Sequence, residues 1–263
     1  MATGKLNGVD WRHPAYSAVA QLGKNVATAA NPVEMLNRHA VAASINTSSG
    51  APVRFVGADD APAGTAYEVH IAQTGRVPTR ANRHDLFNAL VWLSFPRTKA
   101  RLNALQAATI ARDGVGGERG ALRDAATLLD ENGVIVLTCD GTVEEDLRAR
   151  RWQQLFIGRR ADWLHIRVIV FGHALLDKLV SPYKAITGHA LPLSLPSDTP
   201  VDELDRVLAE TVDERLIPAA FVPFPLLGIP GWCDANAEPA FYHDDSVFRA
   251  ARGALASRPR AAG

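Results

Sequence analysis

Three histidines stand in patterned stretches of the sequence: His84, followed at once by Asp85; His173, after Phe171-Gly172; and His189, after Thr187-Gly188. Neutral imidazole is a common ligand of divalent first-row metals, and three imidazoles leave a coordination position open for water. His84, His173 and His189 are therefore candidate ligands for zinc, iron or manganese. With Asp85 they form the expected catalytic set, in which metal-bound water acts as the nucleophile. Without a metal, one histidine would serve as general base, oriented by Asp85 or by Asp177, which lies one turn beyond His173. Lys99 or Lys184 would then neutralise an anionic substrate.

Around His84 the spacing is informative. On a helix turning about 100° per residue, His84, Asn88 and Trp92 share a face. If the phase survives Pro96, Lys99, Asn103 and Gln106 join a stripe roughly a hundred degrees wide. Leu86, Phe87, Leu90 and Leu93 point elsewhere. Neutral hydrogen-bonding side chains replace the Glu, Lys and Arg of an ordinary solvated face, which implies a polar cleft or a buried network. Asn88, Trp92, Lys99 and Asn103 are thus expected to bind substrate, joined by Tyr183 and Lys184 from the polar run before His189. A plainer reading stands beside this one. Asp85 then only complements a helix dipole, and His173 and His189 are core histidines with ordinary partners.

The elements carrying these residues can be placed from local signals. Pro14 to Leu22 is a short amphipathic helix, and Asn31-Pro32 caps and opens another through about Ala43. Val53 to Val56 is a candidate strand. Tyr67 to Gln73 alternates apolar and polar residues and is expected as a half-buried strand. Asn82 caps a helix with Asp85 in its first turn, and Pro96 demands a break near Phe95 within Thr79 to Ala111. Gly114 to Gly120 is a glycine-rich loop without phosphate-loop spacing. Ala126 to Thr138 reads as two strands around a turn at Asp130-Glu131-Asn132-Gly133, because Asn-Gly favours tight hairpins. Val143 to Arg160 is helical and Ile166 to Phe171 is a buried strand. Gly172 opens a helix to about Val180, His189 to Leu195 is a strand, and Val201 to Leu216 is a helix. From Ile217 the chain is rich in proline and aromatic residues. The pattern is α+β: several helices packed on a small mixed or antiparallel sheet, one domain over residues 1–249, and a loose C-terminal tail over 250–263.

Composition narrows the function classes. Of 263 residues, 28 are Lys or Arg and 28 are Asp or Glu, so the formal net charge is zero. Such a balance argues against a nucleic-acid partner, and the clusters Arg148-Ala-Arg150-Arg151 and Arg159-Arg160 read as solvated helix faces. No apolar run reaches membrane-spanning length, so no membrane association is expected. Cys139 and Cys233 are the only cysteines, which fits a reducing cytoplasm. No His-Glu-x-x-His or Gly-x-Ser-x-Gly motif occurs, so the common zincin and serine-hydrolase patterns are missing.

A resemblance spans most of the chain. Its residues are Tyr67-Glu68, Pro78-Thr79-Arg80, His84-Asp85-Leu-Phe-Asn88-Ala-Leu-Val-Trp92, Phe95-Pro96-Arg-Thr-Lys99, Leu102-Asn103 and Thr127-Leu-Leu-Asp130-Glu131. It continues through Phe171-Gly172-His173-Ala174, Pro182-Tyr183-Lys184, Thr187-Gly-His189-Ala190, Leu227-Gly-Ile-Pro-Gly-Trp232 and Phe241-Tyr242 to Phe248-Arg249. These runs resemble a bacterial family known as domain of unknown function 3025. The resemblance implies one domain ending near Arg249 and supplies no activity. Arg83 stands before His84 where the family is expected to carry tryptophan. The sequence thus leads to an intracellular enzyme acting on a small polar substrate through a His/Asp site, as a divalent-metal-dependent hydrolase or lyase. The alternative is a non-catalytic ligand-binding or scaffold protein with a buried polar network.

Overall fold

Local signals for the helix carrying His84 translate directly into structure. In the computed structural model, which describes residues 6–60, 62, 64–114 and 120–251, α4 runs Arg83–Ser94. The Asn82 side chain accepts the Asp85 N–H at 2.7 Å. Phe95 leaves helical geometry (φ −132°, ψ 58°), and Pro96 opens α5, Pro96–Asp113. Phe95 cannot cap α5 with its side chain, so the cap comes from elsewhere. Buried Asp205 accepts the N–H groups of Arg97 and Thr98, each at 2.9 Å. It belongs to α9, Val201–Thr211.

Earlier in the chain, α1 (Ala20–Thr28) leads into α2 (Pro32–Ala42), whose Asn31 cap accepts the Glu34 N–H at 3.2 Å. β1 (Arg54–Val56) and β2 (Arg76–Pro78) pair in parallel. Between them the expected strand at Tyr67 to Gln73 is instead a helix, α3, Tyr67–Thr74. Seven residues fit either period. The decisive signal follows them: Gly75 takes a left-handed conformation (φ 71°) and donates its N–H to Ile71, which ends a helix. A side chain there would also strike the Pro52 carbonyl.

A second correction concerns Ala126 to Thr138. The first half is helix α6, Ala121–Asn132, which passes without a loop into strand β3, Gly133–Leu137. Asn-Gly makes a tight hairpin only where both residues take positive φ, and Gly133 is extended at φ −68°. Gly133 is small for packing, not for turning: a Cβ there would strike Leu129. Ala125, Ala126 and Leu129 are buried in helical spacing.

β3 is buried throughout and centres a four-stranded mixed sheet ordered β4-β3-β5-β6. It pairs antiparallel with β4 (Arg167–Val170) and parallel with β5 (Thr187–Leu193), which pairs antiparallel with β6 (Val222–Pro225). The fold is α+β, as expected. The expected helix from Val143 shortens to α7, Gly141–Arg148, followed by one π-helical turn and one 3-10 stretch. The segment after Ile217 holds β6 and four short 3-10 turns. One continuous hydrophobic core includes residues from Leu6 to Phe248. Among the described residues no helix is long and apolar enough to cross a membrane. Of the expected glycine-rich loop, Gly114 to Gly120, residues 115–119 lie outside the described residues, and so do residues 252–263 of the expected tail, 250–263.

What matters for the site is how β4 hands over to α8, His173–Lys178. Phe171 and Gly172 both donate to the Gly133 carbonyl, at 3.0 and 2.9 Å. A Cβ on Gly172 would stand 2.5 Å from the Gly133 nitrogen and 2.6 Å from Asn132, so only glycine allows this approach. Phe171 packs edge-on against Phe95 with ring centroids 5.3 Å apart. The α4–α5 break, the end of α6 and the start of α8 therefore meet.

Candidate functional site

At that meeting point His84 from α4 and His173 from α8 face each other, with their Nε2 atoms 3.2 Å apart. An ion pair between Arg83 and Asp177 ties the same two helices together. Asp177 is thereby committed to Arg83 and is not within hydrogen-bonding distance of His173. From the last turn of α6, Glu131 places an Oε1 3.6 Å from His173 Nε2. Asp130 places an Oδ2 3.9 Å from the other ring nitrogen, Nδ1.

Ligand atoms of His84, Glu131 and His173 all lie within 4.8 Å of one another. Two ligand atoms on one tetrahedral or octahedral ion, each about 2.0–2.2 Å from it, stand about 3–3.5 Å apart. The two imidazoles match that spacing, and Glu131 misses it by a small side-chain adjustment. The cluster is compatible with a divalent metal. The buried Nδ1 of His173 has no hydrogen-bond partner among the described residues, and Asp130, 3.9 Å away, is the carboxylate beside it, on the side from which a carboxylate orients a ligand imidazole once within hydrogen-bond reach.

Electrostatics point the same way. Burial pushes His173 down to about 4, with Lys99 and His84 adding to the effect against Asp130. The ring is therefore neutral at pH 7 and keeps a lone pair for a ligand. Burial and the charge of Asp130 raise the Glu131 carboxyl above its usual range. Burial would also raise Asp130, but Lys99, His173 and His84 outweigh it and hold it below the usual carboxylate range. Crowded carboxylates beside the neutral His173 ring favour a bound cation.

These groups open onto a cavity of about 400 Å³ whose walls include Tyr67, Glu68, Arg80, His84, Asp85, Asn88, Gln106, Asp130, Glu131 and His173. Its floor is a polar chain. Lys99, with 5% of its side chain exposed, forms an ion pair with Asp130. It donates to Asn88 Oδ1 at 2.8 Å, and Asn88 Nδ2 donates to the Tyr67 hydroxyl at 3.0 Å. The helical phase does survive Pro96. His84, Asn88 and Gln106 reach this cavity, while Trp92, Lys99, Asn103 and Gln106 line a smaller void of about 30 Å³.

The expected site residues divide accordingly. His84, Asp85, Asn88 and His173 share the cavity wall. Asp85 Oδ2 is engaged by the Arg80 N–H at 2.7 Å, and Asp85 is outside the ligand cluster. Trp92 is buried, with the Lys99 ammonium 5.5 Å from its ring. Lys99 is held by Asp130 and Asn88, which leaves it poorly placed to neutralise an anionic substrate. Asn103 donates to the Glu68 carbonyl at 2.9 Å.

His189, Tyr183 and Lys184 are not in this group. Gly188 faces Leu175 of α8, where a Cβ would meet it, and strand alternation turns His189 to the opposite side. Among the described residues, the cluster that could hold a metal has Glu131, and not His189, beside His84 and His173. Tyr183 is exposed, and Lys184 pairs with Asp244 at 3.0 Å beneath the Phe241 ring.

Glu131, Asp130 and Tyr67 were not in the expected set. Their signal was present in the runs Tyr67-Glu68 and Thr127 to Glu131, which carry the family resemblance. Reading those segments as a strand and a hairpin hid it.

The model of a family described as protein of unknown function, DUF3025, matches residues 53–252. No curated protein and no solved structure matches the chain.

Proposed function

The chain belongs to the DUF3025 family, and we propose that it is a divalent-metal-dependent enzyme acting on a small polar substrate. His84, His173 and Glu131 hold the ion, and Asp130 orients His173 from behind. One observation carries the proposal: two imidazole nitrogens 3.2 Å apart, with a carboxylate oxygen 3.6 Å from one of them, on the wall of a cavity. Two histidines and one carboxylate are a ligand set for zinc or for non-haem iron, with positions left open. A bound ion supplies a lowered water pKa and a polarised substrate oxygen, the requirements of a hydrolase or lyase. Four cavity carboxylates, Glu68, Asp85, Asp130 and Glu131, face two cations, Arg80 and Lys99. A divalent ion restores neutrality. A reducing, cytoplasmic setting belongs to the same proposal, since Cys139 and Cys233 are both free thiols.

A second reading has its own observation. The same 3.2 Å separation is a hydrogen-bond length, so the two rings can pair as part of a structural network. Metal analysis separates the two. The metal enzyme retains about one equivalent of zinc, iron or manganese after purification, or gains thermal stability when one is added. A metal-free protein that is indifferent to all three ions supports the structural network.

A further inference from the structure

Hydrogen-bond polarity on the cavity floor is fixed by its deepest member. Lys99 has only donors, so the oxygen of Asn88 must face it, and the Asn88 amide must face Tyr67 as a donor. That amide occupies the Tyr67 oxygen as acceptor and leaves the Tyr67 O–H to point away from the floor. No other hydrogen bond involves this hydroxyl among the described residues. Tyr67 lines the same cavity as His84, Glu131 and His173. Partial burial and the negative charge of Asp130 raise its pKa, so the phenol keeps its proton near neutral pH.

From this wiring we infer that Tyr67 is a catalytic hydrogen-bond donor, aimed at the oxygen of a carbonyl-type substrate group bound at the metal centre. The inference rests on the metal reading above and adds to it the substrate class and the group that recognises it. Charge selects the class. Lys99 is spent on Asp130, and even with a divalent ion bound the four cavity carboxylates balance its charge and those of Arg80 and Lys99, so phosphates and other strongly anionic substrates would lose hydration with no net positive charge to offset it. An uncharged amide or ester meets no such penalty, and its oxygen gains negative charge only as the reaction proceeds. A fixed O–H donor stabilises that charge without reorganising. Lys99 and Asn88 are positioning residues that set the direction of the Tyr67 proton.

Cobalt-loaded protein titrated with acetohydroxamate, a carbonyl mimic, tests this, with the cobalt visible spectrum as readout and inorganic phosphate as comparison. Tyr67→Phe is expected to weaken acetohydroxamate about tenfold while cobalt binds as in the parent. Asn88→Asp turns the floor's donor into an acceptor and rotates the phenol inward. It is expected to match Tyr67→Phe although the hydroxyl is still present. Phosphate is expected to bind weakly, to be indifferent to Tyr67→Phe and to be weakened further by the charge that Asn88→Asp adds. Normal cobalt binding with unchanged acetohydroxamate affinity in Tyr67→Phe would overturn the role of Tyr67 and leave the metal centre standing. A parent protein with no cobalt spectrum would overturn both.

Discussion

Lys99→Met is the sharpest perturbation of the polar floor. Methionine keeps most of the length of the buried lysine stem, so the change removes a charge more than a volume. It strands Asp130, whose side chain is 21% exposed, beside a cation site that is now apolar. Removing one partner of a buried ion pair costs about 3–5 kcal/mol. The residual exposure of Asp130 places this case near 3 kcal/mol, to which the lost bond to Asn88 adds about 1 kcal/mol. For a chain of this size the midpoint should fall by roughly 8–16 °C. In the parent, Asp130 titrates below its ordinary value. Its contribution is therefore complete above about pH 4 and is lost as the pH falls through the lowered pKa. In Lys99→Met, burial acts with its chief opponent gone, and the folded pKa rises above the unfolded one. The folded variant then takes up a proton that the unfolded chain does not, and gains stability as the pH falls. Urea denaturation with EDTA present, followed by circular dichroism at pH 8 and pH 5, should show a gap that narrows at the lower pH. A loss below about 1 kcal/mol, or a gap independent of pH, would refute the reasoning.

Gly172→Ala should destabilise by about 2–3 kcal/mol, because its Cβ meets backbone atoms that cannot yield. By moving α8 away from α6 it should also weaken metal binding, and a titration beside a thermal melt checks both effects. Asp205→Ala leaves two N–H groups of α5, the buried one of Thr98 and the half-buried one of Arg97, without an acceptor and should cost about 2–3 kcal/mol in a denaturation experiment. Asp205→Asn, which keeps an acceptor, should lose less.

These residues also show which parts of the fold could be read in advance. The Asn82 cap, the Pro96 break and the stripe from His84 to Gln106 were legible because each depends on neighbours within a few turns. Gly172 was legible as a point of close approach, although not what approaches it. By contrast, the Asp205 cap joins residues more than a hundred positions apart, and no local signal announces it. Tyr67 to Thr74 is too short for its period to decide between strand and helix. Asn132-Gly133 imitates a hairpin because the pair is small for a packing reason. Misreading that pair placed Glu131 in a solvent turn, when it ends a helix pressed against His173. His189 shows the reverse error. Its flanking glycine marked a close approach correctly, but a one-residue alternation decides which face a strand side chain serves.

A crystal soaked in zinc or manganese and measured for anomalous scattering tests the metal centre most directly. One strong peak is expected, about 2.0–2.2 Å from Nε2 of His84, Nε2 of His173 and a carboxylate oxygen of Glu131. Ions bound elsewhere on the surface, with the two imidazoles still in contact and no peak between them, would contradict it.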